Sequence, residues 1–215
     1  KYYGCLGNDT EGGFCLKRLQ DFHVDTKFVE IVEGGKTPVA YIFITGEKGT
    51  RTIIYERSTL PELKPDRLAL MLADPVKAIL LDPEVTYLAK QVKSLAGDVT
   101  RIVYDCERWH KDMPDMMAAA DYFIPSFEFL QTRELNLTGL SFEQQMFRLA
   151  DMINGCLVVT HGAEGAYFLS NDHLFHVPAP AVKLKDTTGA GDNFHAAFSM
   201  AVSLGYDLPA SVKLS

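Results

Sequence analysis

The chain has 215 residues, 47% of them hydrophobic, and a formal net charge of −7. That length is enough for one sizeable α/β core. The acidic balance, with Lys and Arg scattered, excludes a protein that works by neutralising a nucleic-acid backbone. No stretch approaches a membrane span, and Cys5, Cys15, Cys106 and Cys156 lack C-x-x-C spacing, so they read as reduced thiols of a cytoplasmic protein.

In chain order, Gly4-Cys5-Leu6-Gly7-Asn8-Asp9-Thr10-Glu11-Gly12-Gly13 comes first, and on its residues alone it is a glycine-rich loop with an aspartate capping a helix. Residues 28–32, 38–44 and 51–55 are rich in β-branched and aromatic side chains, and Gly34-Gly35-Lys36 and Gly46-Glu47-Lys48-Gly49 separate them. This pattern predicts an antiparallel meander.

From residue 78 the pattern changes. Ala78-Ile79-Leu80-Leu81-Asp82 is an apolar run; Val85, Leu88, Ala89, Val92, Leu95 and Ala96 then trace a helix face, and Arg101-Ile102-Val103-Tyr104-Asp105 is a second strand. A helix near residues 113–120, a strand at 122–124, a helix turning Phe142, Met146, Leu149, Ala150 and Ile153 inward, and a strand at 157–159 extend the alternation. Such alternation predicts a parallel sheet covered on both faces. Function is then expected at the carboxyl ends of the strands, where Asp82, Asp105, Ser126 and Thr160 fall.

Two turns carry chemistry. Thr160-His161-Gly162-Ala163-Glu164-Gly165 follows an apolar strand directly and is either a glycine-opened nucleotide loop or a tight hairpin into residues 166–169. Asp186-Thr187-Thr188-Gly189-Ala190-Gly191-Asp192 opens into a helix whose apolar face is Phe194, Ala197, Phe198, Ala201 and Val202. At such a helix N-terminus the first N–H groups lack intrahelical partners and the macrodipole is positive, which suits a phosphate. A carboxylate beside that phosphate, Asp192, is placed to accept a proton from an attacking hydroxyl.

The run from Asp186 to Phe194, after the Pro-rich Pro178-Ala179-Pro180, resembles the C-terminal signature of the ribokinase-like carbohydrate kinases, the PfkB family. The Thr160–Gly165 turn is similar to that family's nucleotide-phosphate loop, and the Gly4–Gly13 segment to its Gly-x-Asp-x-x-Gly segment. The resemblance implies a ribokinase-like three-layer αβα sandwich with a mainly parallel sheet and a small antiparallel β lid within about residues 26–57, in one domain over 1–215. The family pattern also runs past both ends of the given residues. Before them it has a strand-and-helix region with a Gly-Gly pair and a substrate-binding Asp, and after them the helices that complete the adenine pocket.

The implied activity is ATP-dependent transfer of the γ-phosphoryl group to a hydroxyl of a sugar or sugar acid. Asp192 would be the base and the N–H groups of Gly189, Ala190 and Gly191 the anion hole, with Thr160, Gly162 and Gly165 meeting the nucleotide. Tyr104-Asp105-Cys106-Glu107-Arg108-Trp109 resembles the Asp-then-Arg pattern after a strand in sugar and sugar-acid kinases, which makes Arg108 a substrate contact; the alternative is a surface ion pair with Asp105 or Glu107. Tyr41 of the lid is the other substrate candidate. Mg²⁺ is expected with ATP, and a monovalent cation such as K⁺ is implied at backbone oxygens near Asp186 and Thr188. The family's Asn-x-x-Glu metal support is replaced here by Pro125-Ser126-Phe127-Glu128-Phe129, which leaves Glu128 or Glu134 to serve. A homodimer through the lid, but no nucleic-acid or membrane partner, completes the expectation. The alternatives are a nucleoside kinase of the same family and a non-catalytic relative that binds a sugar or nucleotide.

Overall fold

A computed structural model describes residues 1–44, 51–56, 58–183 and 186–215. These residues divide into two compact units, one of Lys1–Asp74 with residues 186 and 187, the other of Pro75–Lys183 with Thr188–Ser215.

In the first unit, strand β1 (Tyr3–Gly7) leads through helix α1 (Thr10–Asp21) to strand β2 (Phe28–Val32), which pairs with β1 in parallel. Asp9 starts the helix. Its Oδ1 accepts hydrogen bonds from the Gly12 N–H at 2.7 Å and the Thr37 hydroxyl at 2.8 Å, and its Oδ2 accepts from the Thr37 N–H at 2.7 Å. These donors, the Thr37 N–H first, hold the Asp9 carboxyl below the usual carboxylate range. Gly12 has to be glycine because a Cβ there would lie 2.2 Å from the Gly7 carbonyl oxygen.

Strands β3 (Val39–Ile44) and β4 (Arg51–Glu56) form an antiparallel hairpin, and helix α2 (Pro65–Leu72) follows with proline in its first turn. The expected three-strand meander is therefore corrected. Residues 28–32 pair with β1 and not with β3, because α1 returns the chain alongside its own preceding strand and a parallel partner there satisfies the β2 backbone. The turn predicted at residues 46–49 lies outside the described residues.

The second unit is built on six strands: β5 (Ala78–Leu81), β6 (Arg101–Cys106), β7 (Tyr122–Pro125), β8 (Cys156–Thr160), β9 (Ala166–Ser170) and β10 (His173–Val177), laid side by side in chain order. The first four are parallel, and β9 and β10 are antiparallel additions. Helices α3 (Ala89–Ala96), α4 (Met113–Ala119) and α5 (Phe142–Ala150) make the crossovers; α6 (Ala190–Ser203) and α7 (Leu208–Leu214) close the unit.

Both faces of the central strands are covered, as the alternation predicts. Successive strand residues point to opposite faces, yet Ile102, Val103 and Tyr104, Phe123 and Ile124, and Leu157, Val158 and Val159 are all buried. On one side Val103, Ile124, Val158, Ala166 and Phe168 pack with Phe198 and Val202 of α6 and Val212 of α7.

The helix predicted over 85–96 begins differently. Residues Pro83–Leu88 form a 3₁₀ turn with Val85 off helical geometry, and regular helix starts only at Ala89. Pro83 permits this start because its missing N–H belongs to the first turn, where Asp82 Oδ1 caps the Glu84 N–H at 2.8 Å. Leu95, expected inside, is exposed.

Candidate active site

Helix α6 opens on Gly189, which has φ +76° and offers no side-chain cap. Only glycine adopts that backbone freely, and without a capping side chain the first turn presents its N–H groups outward. Gly189 is partly exposed, while Ala190, Gly191 and Asp192 are exposed. The Asp192 carboxylate reaches back over the turn, its Oδ2 lying 3.8 Å from where a Cβ of Gly189 would stand. Asn193 closes the other side, donating from Nδ2 to the Gly189 carbonyl at 2.9 Å. Asp186 and Thr188 are exposed and fall in different units.

One turn along the same helix is a residue that the apolar pattern passed over. His195 is buried at 4% exposure; one ring nitrogen, Nδ1, lies 2.7 Å from the Gly191 carbonyl and 3.4 Å from Asp105 Oδ2, and the other, Nε2, lies 3.2 Å from the Ile124 carbonyl. Its position three before Phe198 and seven before Val202 puts it on the buried stripe, which is the signal that was available. Asp105 sits near the carboxyl end of β6. Burial raises its pKa to about 6; His195 opposes that rise, while Glu107, Asp82 and Asp192 add to it.

The second turn takes the hairpin form, one of the two that its sequence allowed. β8 and β9 pair antiparallel, so the segment is a hairpin, and within it residues Gly162–Glu164 form a 3₁₀ turn after Thr160. Gly162 is exposed, with φ +50° and open space where a side chain would project. Gly165, with φ +97°, is different: a Cβ there would lie 2.1 Å from the Val177 carbonyl oxygen and 2.6 Å from the Ala179 nitrogen. Backbone packing therefore accounts for the missing side chain at Gly165, whereas the expectation had been closure over a nucleotide. Aromatic rings flank the turn. Phe127 stacks on His161 at 3.9 Å between centroids, and Phe142 meets Tyr167 edge-on at 4.8 Å.

Arg108 forms an ion pair with Glu84, a partner that sequence reading did not consider in place of Asp105 or Glu107. Both side chains are largely exposed, so the pair is weakly held and the guanidinium can be drawn to another anion. Glu128 is exposed on a 3₁₀ turn after β7, and Tyr41 is exposed on β3 of the first unit. Among the described residues no group of three or more His, Cys, Asp or Glu could hold a metal. Glu128 is a single exposed carboxylate, and one or two carboxylates suffice for Mg²⁺ that arrives with nucleotide phosphates.

Fold and turns together define an α/β protein in which a glycine-started helix meets, through His195, strands β6 and β7 of a parallel sheet. Residues 1–215 match the family described as pfkB family carbohydrate kinase, and the chain belongs to that family. It is 26% identical over 219 residues to an uncharacterized sugar kinase from Archaeoglobus fulgidus, covering 96% of this chain and 84% of that one. The Arabidopsis thaliana ribokinase solved with ribose and ATP superposes with a TM-score of 0.79 at 22% identity, over 98% of this chain and 71% of that chain. An Escherichia coli protein assigned as ribokinase II, solved with ATP and Mg²⁺, gives 0.75 at 21% identity, over 98% and 72%.

Proposed function

We propose that the protein transfers the γ-phosphoryl group of ATP to a hydroxyl of a sugar or sugar acid, with Asp192 as the base. The supporting observation is the accessible carboxylate of Asp192 folded back over a helix start that has a left-handed glycine and no side-chain cap. The N–H groups of residues 189–191 are suited to the charge that spreads over the equatorial phosphoryl oxygens, and Asp192 to the proton of the attacking hydroxyl. Thr160 and Gly162 are proposed to meet the nucleotide, with Gly165 holding the turn in shape against residues 177–179. Glu128 is the carboxylate proposed to hold Mg²⁺ that arrives with ATP, where the ion would supply neutralisation of phosphate charge. A monovalent cation beside Asp186 and Thr188 belongs to the same proposal.

For the acceptor, Arg108 is proposed to exchange Glu84 for a substrate oxygen or carboxylate, and Tyr41 to contact the sugar. The hairpin of β3 and β4 exposes Tyr41, Phe43, Ile54 and Tyr55, apolar area consistent with a lid that meets a second copy. All four cysteines are free, in keeping with a reducing, cytoplasmic setting, and among the described residues no helix is long and apolar enough to cross a membrane. The test is ADP release from ATP and Mg²⁺ with D-ribose, D-fructose, D-gluconate and inosine in turn. Turnover with one of the first three supports the proposal, turnover with inosine alone makes this a nucleoside kinase, and binding without turnover makes it a non-catalytic relative.

A further inference from the structure

His195 lies where no part of the proposed chemistry needs a histidine, and its surroundings are unusual for one. It is buried, and both ring nitrogens face oxygen: Nδ1 the Gly191 carbonyl at 2.7 Å and Asp105 Oδ2 at 3.4 Å, Nε2 the Ile124 carbonyl at 3.2 Å. Carbonyl oxygens only accept. An imidazole N–H donates to such an oxygen, and the ring reaches one on each of its two sides. The three oxygens also belong to three different elements. Gly191 is in the first turn of α6, Asp105 is near the carboxyl end of β6, and Ile124 is in β7.

We infer that His195 is a positioning residue that ties the phosphate-facing first turn of α6 to the carboxyl ends of β6 and β7 and so sets where Asp192 stands. The positioning role rests on the function proposed above; the clamp itself does not. Gly191 is the residue before Asp192, so fixing its carbonyl fixes the peptide from which the base projects. The charged groups whose fields reach Asp105 are His195, Glu107, Asp82 and Asp192, and His195 is the one that favours its ionised form. Without His195, Asp105 would take up a proton more readily. Protonation of Asp105 near pH 6 is expected to loosen the clamp, so turnover should fall as pH drops through that value.

Three readouts test this. Turnover of the unmodified protein should fall as pH drops through about 6, and Asp105→Asn should remove that fall. The backbone amide of Asn193, which donates to the Gly189 carbonyl across the first turn, should exchange faster in His195→Leu, and less so in His195→Gln, whose carboxamide still donates to one carbonyl. In turnover, His195→Leu should lower kcat by about 10²-fold, the cost of a base displaced by roughly 1 Å, with little change in KM for ATP, and His195→Gln should recover part of the loss. A cooperatively melting His195→Leu with parental kcat and amide exchange overturns the inference. If the unmodified protein turns over no acceptor, the proposed function fails while the amide exchange still decides the clamp. If His195→Leu does not fold, amide exchange and turnover of His195→Gln decide it.

Discussion

Replacing Asp192 by Asn removes a proton acceptor while leaving size and hydrogen-bonding shape nearly unchanged. The side chain is exposed in the first turn of α6, so no buried charge is orphaned and the helix loses only a favourable dipole interaction of about 0.3–1 kcal/mol. Its Oδ2 lies 3.8 Å from the position of a Gly189 Cβ, close enough to act on a hydroxyl approaching a phosphoryl group held on that turn. A positioned general base is worth roughly 10²–10⁴ in rate, or about 2.7–5.5 kcal/mol of barrier. The expected result is a kcat lower by that factor, a KM for ATP near the parent's and an almost unchanged melting temperature. Steady-state kinetics with ATP, Mg²⁺ and the acceptor chosen by the panel, together with a thermal melt, measure all three. A variant turning over within a few-fold of the parent would show that Asp192 is not the base. A large rise in KM for ATP at unchanged kcat would place the residue in nucleotide binding instead.

Gly165→Val should lose about 2 kcal/mol or more of stability, because its Cβ meets the Val177 carbonyl oxygen at 2.1 Å in a left-handed backbone; melting close to the parent's would show that this packing is not limiting. Gly162→Ala meets open space but a left-handed backbone, φ +50°, so it should cost about 1 kcal/mol of stability and otherwise act mainly on KM for ATP, and equal changes in the KM of both substrates would count against a nucleotide role. Asp105 gives a pH dependence of stability. Its folded pKa of about 6 exceeds the ordinary 3.8, so its stabilising contribution is fully present below about pH 4 and lost as pH rises through 6. Urea melts at pH 4 and pH 8 should therefore show Asp105→Asn gaining on the parent at the higher pH, and equal differences at both would refute the shift. Asp9 has the opposite sign: its depressed pKa stabilises above about pH 4 and is lost in acid, so Asp9→Ala should lower the melting temperature at neutral pH and flatten its fall in acid, and a parental melting curve would remove the cap from the account.

Much of this protein was legible along the chain because its signals are local. Period-two and period-3.6 apolar patterns placed β5 to β8 and helices α4 and α5, since a buried parallel strand must be apolar on both faces and a covering helix on one. The Gly-Ala-Gly-Asp turn was visible because a left-handed helix start requires glycine at a definite place, and Gly189 occupies it with φ +76°.

Partners distant in sequence were decided by the tertiary structure. Strand pairing is set by where a crossover returns the chain, so residues 28–32 joined β1 although their composition suited a meander equally well. Gly165 looked like a loop residue freed for a ligand until the backbone of residues 177–179 was brought against it. Arg108 found Glu84, 24 positions away, and His195 found a carbonyl 71 positions away. A polar residue on an apolar stripe breaks the periodic signal, and its reason for being there exists only once three separate elements place their oxygens around it.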